Sequence, residues 1–188
     1  MTIVRAGTEV DYTITFLEMV ERPSYDWPHM PANIAASLLH AEVPPVWYFL
    51  SLYDAVGRDY AWEDMHELPE QTLADMLHDP KVELFTLINK GWPHGFFLLD
   101  TREEGICDLA YFGLVPEAVG SGLGTFLLRT AILTGWDRPG VEKMTVNTCT
   151  LDHPRALQMY QKNGFTPVRR EDRTRILTRD RNLARIPD

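Results

Sequence analysis

The sequence is poor in cysteine and has no long hydrophobic run. Only two of its 188 residues are cysteines, Cys107 and Cys149, and neither is accompanied by histidines at the spacing of a metal site. We therefore expect neither a disulfide framework nor a bound metal, and a reducing, cytoplasmic environment fits best. No stretch approaches the roughly 18 apolar residues of a membrane helix, so no association with a membrane is expected.

Basic side chains are also scarce, except near the C-terminal end. The formal net charge is -9, from 18 Lys and Arg against 27 Asp and Glu. A nucleic-acid surface is not expected, because phosphate binding requires a basic face. Seven of the basic and four of the acidic residues lie at positions 169–188, so the acidic excess is concentrated before them. That excess either keeps the chain soluble or attracts a cationic amine.

The size and the apolar content favour one domain over residues 1–188, because 45% hydrophobic residues are enough for a core. Polar–apolar alternation and apolar runs predict strands at residues 11–19, 82–89, 95–100, 107–115 and 141–150, and a last strand pair at 165–170 and 174–178. The helical period predicts helices at residues 33–42, 46–57, 68–77, 125–136 and 154–163.

Short gaps separate the three central strands, and the turn-forming residues Gly91, Pro93 and Gly105 lie in those gaps. Strands that follow each other so closely pair as an antiparallel meander. After the third strand, the hydrophobic period changes from two to about 3.6 residues, which marks a switch to helix. We therefore predict an α+β fold with a mixed, mostly antiparallel sheet of six or seven strands and helices on both faces.

A glycine-rich segment, VGSGLGT at residues 119–125, joins the last meander strand to the next helix. Glycines allow positive φ and a close approach of the backbone to a ligand, and the first amides of a helix have no acceptor within it. A pyrophosphate fits such a junction; the alternative is a flexible turn without a ligand. The segment matches neither the G-x-G-x-x-G pattern of a Rossmann loop nor the Lys-Ser/Thr ending of a P-loop.

The segment from residue 108 to residue 165 resembles the coenzyme A core of the GNAT acyltransferase family. The family's loop reads Gln/Arg-x-x-Gly-x-Gly/Ala, and Gly122 and Gly124 match its two small positions. Val119 stands where the family has Gln or Arg, a side chain that helps to order the loop around the pyrophosphate. The backbone amides, which make the main contacts in the family, do not depend on that side chain.

A second motif lies downstream, where HPRALQMYQKNGF resembles the family's N-x-x-A-x-x-x-Y-x-x-x-G-F helix and turn. His153 stands where the family has Asn. The matching positions are Ala156, Tyr160, Gly164 and Phe165. The two motifs occur in the family's order with a strand between them, which makes the resemblance much more specific than either motif alone.

The resemblance implies that acetyl-CoA binds in a gap where the strands at residues 107–115 and 141–150 splay apart, within a cofactor core at residues 107–165. Backbone groups near Phe112 and Leu114 would bond the pantetheine arm as a neighbouring strand does. The expected cofactor-binding residues are Phe112, Leu114, Val119, Gly120, Gly122, Leu123, Gly124, Thr125, His153 and Ala156.

Direct transfer to an amine in a ternary complex is the family's chemistry, so no covalent enzyme intermediate is expected. Tyr160 is the expected general acid for the departing thiolate, because a phenol stays protonated at neutral pH. The alternative is a core tyrosine that packs beside Ala156. Asp108 matches by position the glutamate that some members use as base, and its shorter side chain favours a bridging water. The alternative is a strand-end carboxylate that faces solvent.

Three other polar residues have simpler interpretations. Glu117 is a turn residue ahead of the glycine loop. Either Asp152 or His153 caps the following helix, and His153 also borders the cofactor or acts as a base. Cys149 lies within a strand without any sign of an activated thiolate, so we interpret it as a small core residue.

The acceptor, a small-molecule or peptide amine, is expected at the helices of residues 27–66, the least family-like part of the chain, and at the loop after the Tyr160 helix. The region contains the aromatic residues Trp27, Trp47, Tyr48, Tyr53, Tyr60 and Trp62 and the acids Asp54, Asp59, Glu63 and Asp64. They form either a pocket for a cationic amine or a core packed against the sheet. An exposed sheet edge would also allow a homodimer.

The sequence thus predicts an acetyl-CoA-dependent N-acetyltransferase, with two alternatives. One is a module of the same fold that binds acyl-CoA without catalysis, and the other is a structural or partner-binding protein with an empty glycine loop. Coenzyme A binding without consumption of the acetyl group favours the first alternative. Absence of any thermal shift with coenzyme A favours the second.

Overall fold

A computed structural model describes residues 3–186 of the chain. The strands within this range are β1 (Ile3–Val4), β2 (Glu9–Met19), β3 (Ala36–Ala41), β4 (Val82–Asn89), β5 (Trp92–Asp100), β6 (Ile106–Leu114), β7 (Lys143–Cys149), β8 (Thr166–Ile176) and β9 (Arg181–Asn182). The α-helices are α1 (Val46–Gly57), α2 (Glu70–Leu77), α3 (Leu123–Trp136) and α4 (Ala156–Lys162). Short 3-10 turns occur at Arg58–Tyr60, Asp64–Glu67, Pro116–Ala118 and Leu183–Arg185.

Seven strands form one sheet in the order β3-β4-β5-β6-β7-β2-β8, and β1 pairs with β9 in a separate two-stranded sheet. Every neighbouring pair in the large sheet is antiparallel except β6 and β7, which are parallel. The predicted α+β class and the mixed, mostly antiparallel sheet are therefore confirmed.

The parallel pair is short, because β6 and β7 are paired only from Ile106 with Lys143 to Asp108 with Thr145. Beyond Asp108, β6 continues for six residues and stays paired with β5, with an irregular register next to Leu98. The two strands therefore separate at Asp108 and leave a gap between them, which we call the splay.

Helices cover both faces of the sheet, as predicted. On the face that we call the α1 face, α1 and α2 bury apolar side chains against β4, β5 and β6, among them Phe49, Leu52, Val56, Leu84, Phe96 and Leu98. On the opposite α3 face, the core contains Leu127, Leu128, Ala131, Phe97, Leu109 and Met144. Each such burial contributes about 1.5–3 kcal/mol. Within residues 3–186, no helix is long and apolar enough to cross a membrane.

The helix predicted at residues 33–42 is wrong, because Ala36–Ala41 is the edge strand β3. It pairs with β4, with Leu38 opposite Leu87 and His40 opposite Phe85. A short apolar run fits either period, and here the free edge of β4 decides the outcome. Residues 27–66 therefore contain one α-helix rather than two, together with this strand and two 3-10 turns.

Two strand predictions also need correction. The strand predicted at residues 95–100 begins earlier, at Trp92, because Lys90 and Gly91, with φ of 52° and 84°, make the turn. The strand pair predicted at 165–170 and 174–178 is one continuous strand, Thr166–Ile176, whose partner is β2. The N-terminal strand therefore lies between β7 and β8, a pairing between segments about 160 residues apart in sequence that no local pattern reveals.

Candidate active site

The splay leaves one side of β6 without a strand partner. From Leu109 to Leu114 the strand pairs with β5 only, so the backbone groups on its other side are free to bond a ligand. The side chains of this stretch belong to the cores: Phe112 is buried on the α3 face, and Leu114 is half-buried. The predicted binding role of Phe112 and Leu114 therefore concerns their backbone groups and stays a prediction.

The glycine loop begins close after β6 and ends at α3. Gly120 and Gly122 have φ of 83° and 85°, a region that favours glycine. Among the residues that the structure describes, a Cβ at Gly120 would meet no atom within 4 Å, and one at Gly122 would meet only Pro31, at 3.9 Å. Gly122 is the N-cap of α3 without a side-chain cap. The loop is therefore open, and the first amides of α3 lack acceptors within the helix.

The side chains of this loop divide into one anchor and several neutral surface groups. Leu123 is completely buried and fixes the start of α3 in the core. Val119 is 41% exposed, and Thr125 is exposed. Gly124 packs near Leu114, since its Cβ would lie 3.7 Å from that side chain. Binding of an anion here would rest on backbone amides and the helix dipole. These residues fit the pyrophosphate of an acyl-CoA.

Tyr160 lies on α4 at the α3-face side of the splay. Its ring makes edge contacts with Phe112, at a centroid distance of 6.2 Å, and with Phe165, at 6.0 Å. Burial, followed by the charges of Asp152 and Asp108, raises the pKa of the Tyr160 hydroxyl above its ordinary value. The phenol is therefore protonated throughout the neutral range, as a general acid requires, and it is also a well-packed core residue.

Asp108 is the last paired residue before the splay. Thr145 Oγ1 donates a hydrogen bond of 2.6 Å to its carboxylate from the facing strand β7. Burial raises the pKa of Asp108, Thr145 opposes that change, and the nearby Asp100 and Glu103 raise it further. Asp108 is thus not a freely solvated strand-end carboxylate, and its raised pKa suits a base.

A groove of about 730 Å³ opens on the α1 face over the strands that α1 and α2 leave uncovered. Asp108 and Thr145 lie at its floor, and the β5–β6 turn and β8 form its walls. The lining side chains are Phe16, Glu18, Asp100, Arg102, Glu103, Ile106, Asn147, Val168 and Arg169. Sequence reasoning missed most of these residues, because β2 and β8 reach the groove through long-range pairing.

The turn before α4 differs from the prediction. The helix begins at Ala156, and no side chain caps it. Asp152 bonds elsewhere, and His153 Nδ1 accepts from the backbone N–H of Arg155, at 3.1 Å. Neither residue is therefore the N-cap. Burial, followed by the charge of Arg155, lowers the pKa of His153 and so favours the neutral ring.

Both cysteines are poor nucleophiles. Burial raises the pKa of Cys107 and of Cys149 to about 12. A thiol with such a pKa carries almost no thiolate at neutral pH. Cys149 is a small, partly buried residue that packs against the cluster of Ala61, Leu151 and Leu177, at the border of the predicted core position. Glu117 is exposed in a 3-10 turn, which also agrees with its predicted role. In the described part of the chain, no group of three or more His, Cys, Asp or Glu is arranged to hold a metal ion.

Of the two alternatives for residues 27–66, the structure favours a packed region over a pocket for a cationic amine, because arginines near the C-terminal end pair with its acids. The ion pairs join Asp54 to Arg179, Asp59 to Arg185, and both Glu63 and Asp64 to Arg175. Trp27 and Trp47 are 48% and 67% exposed, so both are surface side chains. We call residues 175–185, which carry these arginines, the C-terminal strap.

The family is established by sequence comparison. The model of the acetyltransferase (GNAT) family matches residues 49–165, more than half of the chain. The chain therefore belongs to that family, and the resemblance seen in the two motifs is confirmed. No curated protein matches the sequence significantly.

Solved structures show the same fold at low identity. A GCN5-related N-acetyltransferase from Kribbella flavida is 16% identical, with a TM-score of 0.57 over 86% of this chain and 56% of that one. A GCN5-related N-acetyltransferase from Sphaerobacter thermophilus is 15% identical, with a TM-score of 0.59 over 93% of this chain and 53% of that one. An aminoglycoside acetyltransferase from an uncultured soil metagenomic sample, in complex with sisomicin, is 13% identical, with a TM-score of 0.51 over 68% of this chain and 86% of that one. The chain spans little more than half the length of the first two.

Proposed function

We infer that this protein is an N-acetyltransferase that moves an acetyl group from acetyl-CoA to an amine by direct transfer. One observation carries the inference: the open glycine loop at the start of α3 adjoins a splay whose closed end holds a carboxylate of raised pKa. The proposed phosphate site, the unpaired edge of β6 and the proposed base would then lie along one continuous path.

Binding would use mainly backbone groups. The loop from Val119 to Thr125 would hold the pyrophosphate, and the free side of β6 at Phe112 and Leu114 would hold the pantetheine amides. His153 and Ala156 lie where the turn and the first residues of α4 would border the same ligand. Acetyl-CoA supplies an acyl group activated as a thioester.

The reaction requires that the amine lose a proton and that the departing thiolate gain one. Asp108 accepts the first proton, directly or through one water, and Thr145 holds the carboxylate at the floor of the groove. Tyr160 gives the second proton, since its raised pKa keeps the hydroxyl protonated. The amine, on a small molecule or a peptide, enters through the groove on the α1 face.

A titration with acetyl-CoA tests the binding step. Gly122→Trp places a bulky side chain in the loop, whereas Gly140→Trp serves as the matched control. Gly140 has a similar φ of 78° and open space around it, but it lies in the turn after α3. We expect acetyl-CoA to raise the melting temperature of the wild type and of Gly140→Trp, and not that of a folded Gly122→Trp.

Release of free thiol in the presence of an amine panel then tests turnover. Binding without thiol release for any amine would favour the non-catalytic acyl-CoA module. Absence of binding by the wild type would contradict the proposed function.

A further inference from the structure

Trp62 crosses the splay on the α1 face. Its indole contacts the ring of Tyr111, on the unpaired stretch of β6, at a centroid distance of 5.6 Å. The indole Nε1 donates a hydrogen bond of 2.9 Å to Asp152, in the turn after β7. One side chain thus connects the two strands at a level where they no longer pair with each other.

The carboxylate of Asp152 is held in position by hydrogen bonds from β7. Its Oδ2 atom accepts hydrogen bonds of 2.8 Å from Thr148 Oγ1 and from the backbone N–H of Cys149. Its Oδ1 atom is left for Trp62. The carboxylate therefore uses both oxygens, one to hold the end of β7 and one to hold the indole.

The backbone around Trp62 is held just as firmly. Ala61 has a left-handed φ of 59°, an uncommon state for a residue with a side chain, and Arg175 Nη1 bonds its carbonyl at 3.1 Å. Arg179 Nη2 bonds the carbonyl of Trp62 at 2.6 Å. A Cβ at Gly57 would lie 2.3 Å from Trp62 Cβ and Cγ, so any larger residue there must displace the indole. Parts of the chain that are far apart in sequence thus fix one indole.

We propose that Trp62 is a specificity-determining residue of the transfer reaction. Its indole closes the splay on the α1 face beyond Asp108, so that amine and water reach the reacting carbon only through the groove at Asp108. Asp152 is the positioning residue that holds the indole in place. The inference rests on the proposed function, because it concerns access to the same site.

The test measures hydrolysis of acetyl-CoA without any amine. In that reaction a water oxygen bonds to the carbonyl carbon and the C–S bond breaks. Of the two protons that the water loses, one goes to the thiolate and one to solvent, giving acetate and free coenzyme A. Closing a site excludes this water, so Trp62→Ala should raise the rate of thiol release about tenfold. Binding of acetyl-CoA, measured by calorimetry, should change less than about twofold, because the glycine loop is intact.

Two further variants keep the test decisive. Gly57→Ala suits the helical backbone at that position and displaces the indole by contact, so it should also raise hydrolysis. Trp47→Ala removes an indole that is 67% exposed on α1 and should leave hydrolysis unchanged. If Trp62→Ala does not fold, Gly57→Ala decides alone.

The inference would be overturned if Trp62→Ala and Gly57→Ala both fold and bind acetyl-CoA but hydrolyse it at the wild-type rate. The selectivity for acceptors gives a second readout. Trp62→Ala should accept bulky amines, such as benzylamine, better relative to methylamine than the wild type does. If the wild type does not bind acetyl-CoA in the calorimeter, the proposed function itself is overturned. The two failures are distinguishable, because binding by the wild type is measured before any variant is tested.

Discussion

The two sides of the splay are built in different ways. The side that would hold acetyl-CoA comes from consecutive elements, β6, the glycine loop, α3, β7 and α4, within residues 106–162. The α1-face side joins distant segments, because Arg175 and Arg179 reach the carbonyls of Ala61 and Trp62 across more than 110 residues. The first side therefore depends on local backbone geometry, and the second on long-range ion pairs and hydrogen bonds that substitutions can change one at a time.

The largest effect is expected on the cofactor side, from removal of one hydroxyl. Tyr160→Phe keeps the ring that packs on Phe112 and Phe165 and removes the proton donor. General acid catalysis contributes roughly 100-fold or more, so kcat should fall by about that factor while KM for acetyl-CoA stays nearly constant. Steady-state kinetics with any active amine measure both values.

A matched control for this variant is Tyr60→Phe, because Tyr60 is also buried and also has a pKa raised by burial. Tyr60 lies in the 3-10 turn after α1, and the Tyr60→Phe variant should turn over substrate at the wild-type rate. Equal rates for wild type and Tyr160→Phe would mean that Tyr160 is a core residue only.

Asp108 lies where the two sides meet, and its role is visible in the pH profile. Because burial raises its pKa above the usual 3.8, the acid limb of kcat/KM should lie at higher pH than for a free carboxylate, with activity rising as Asp108 loses its proton. Asp108→Asn should abolish that limb and lower the plateau by about tenfold or more. An unchanged acid limb in Asp108→Asn would exclude Asp108 as the base.

The stability of Asp108→Asn separates catalysis from folding. The pKa of Asp108 is higher in the folded than in the unfolded state, so the protonated carboxyl group favours the folded state. This contribution to the free energy of unfolding is lost as the pH rises through the folded-state pKa. The amide cannot ionise, so the variant should be at least as stable as the wild type at pH 7. Lost activity in Asp108→Asn would then reflect chemistry and not unfolding.

The difference between the two sides also explains what the sequence could predict. The glycine loop, α3 and the position of Tyr160 follow from local spacing, and α1 was predicted with its observed bounds. The edge strand β3 was mistaken for a helix because six residues carry too little periodicity to decide. The position of β2 between β7 and β8, and the pairing of the strap with Asp54 and Glu63, depend on three-dimensional neighbours that no local pattern encodes.

A moderate effect is expected from the strap. Arg179→Ala removes one of the partners of Asp54, which keeps Arg58, and a donor to the carbonyl of Trp62. It leaves the largely buried Glu63 with Arg175 and the backbone N–H of Thr178. An unsatisfied buried polar group costs about 1–3 kcal/mol, so the free energy of unfolding should fall by about 2 kcal/mol. Urea denaturation measures it.

Arg173→Ala is the control for the strap, since the ion pair of Arg173 within residues 3–186 is with Glu171, two residues away on exposed β8. Exposed ion pairs contribute about 0–1 kcal/mol, so this variant should unfold almost as the wild type does. Equal losses in Arg179→Ala and Arg173→Ala would show that the strap does not hold the α1-face side together.

The smallest effect is expected at Cys149, which lies at the end of β7 beside Asp152 and so touches both sides. Its pKa of about 12 leaves almost no thiolate at neutral pH, and direct transfer requires no acetylated enzyme. Cys149→Ala should therefore keep kcat within about twofold of the wild type, because only a small side chain is lost. A much larger loss of kcat, together with an acetyl group detected on the wild-type chain by mass spectrometry, would contradict direct transfer. The acetyl group would then pass through a covalent intermediate on Cys149.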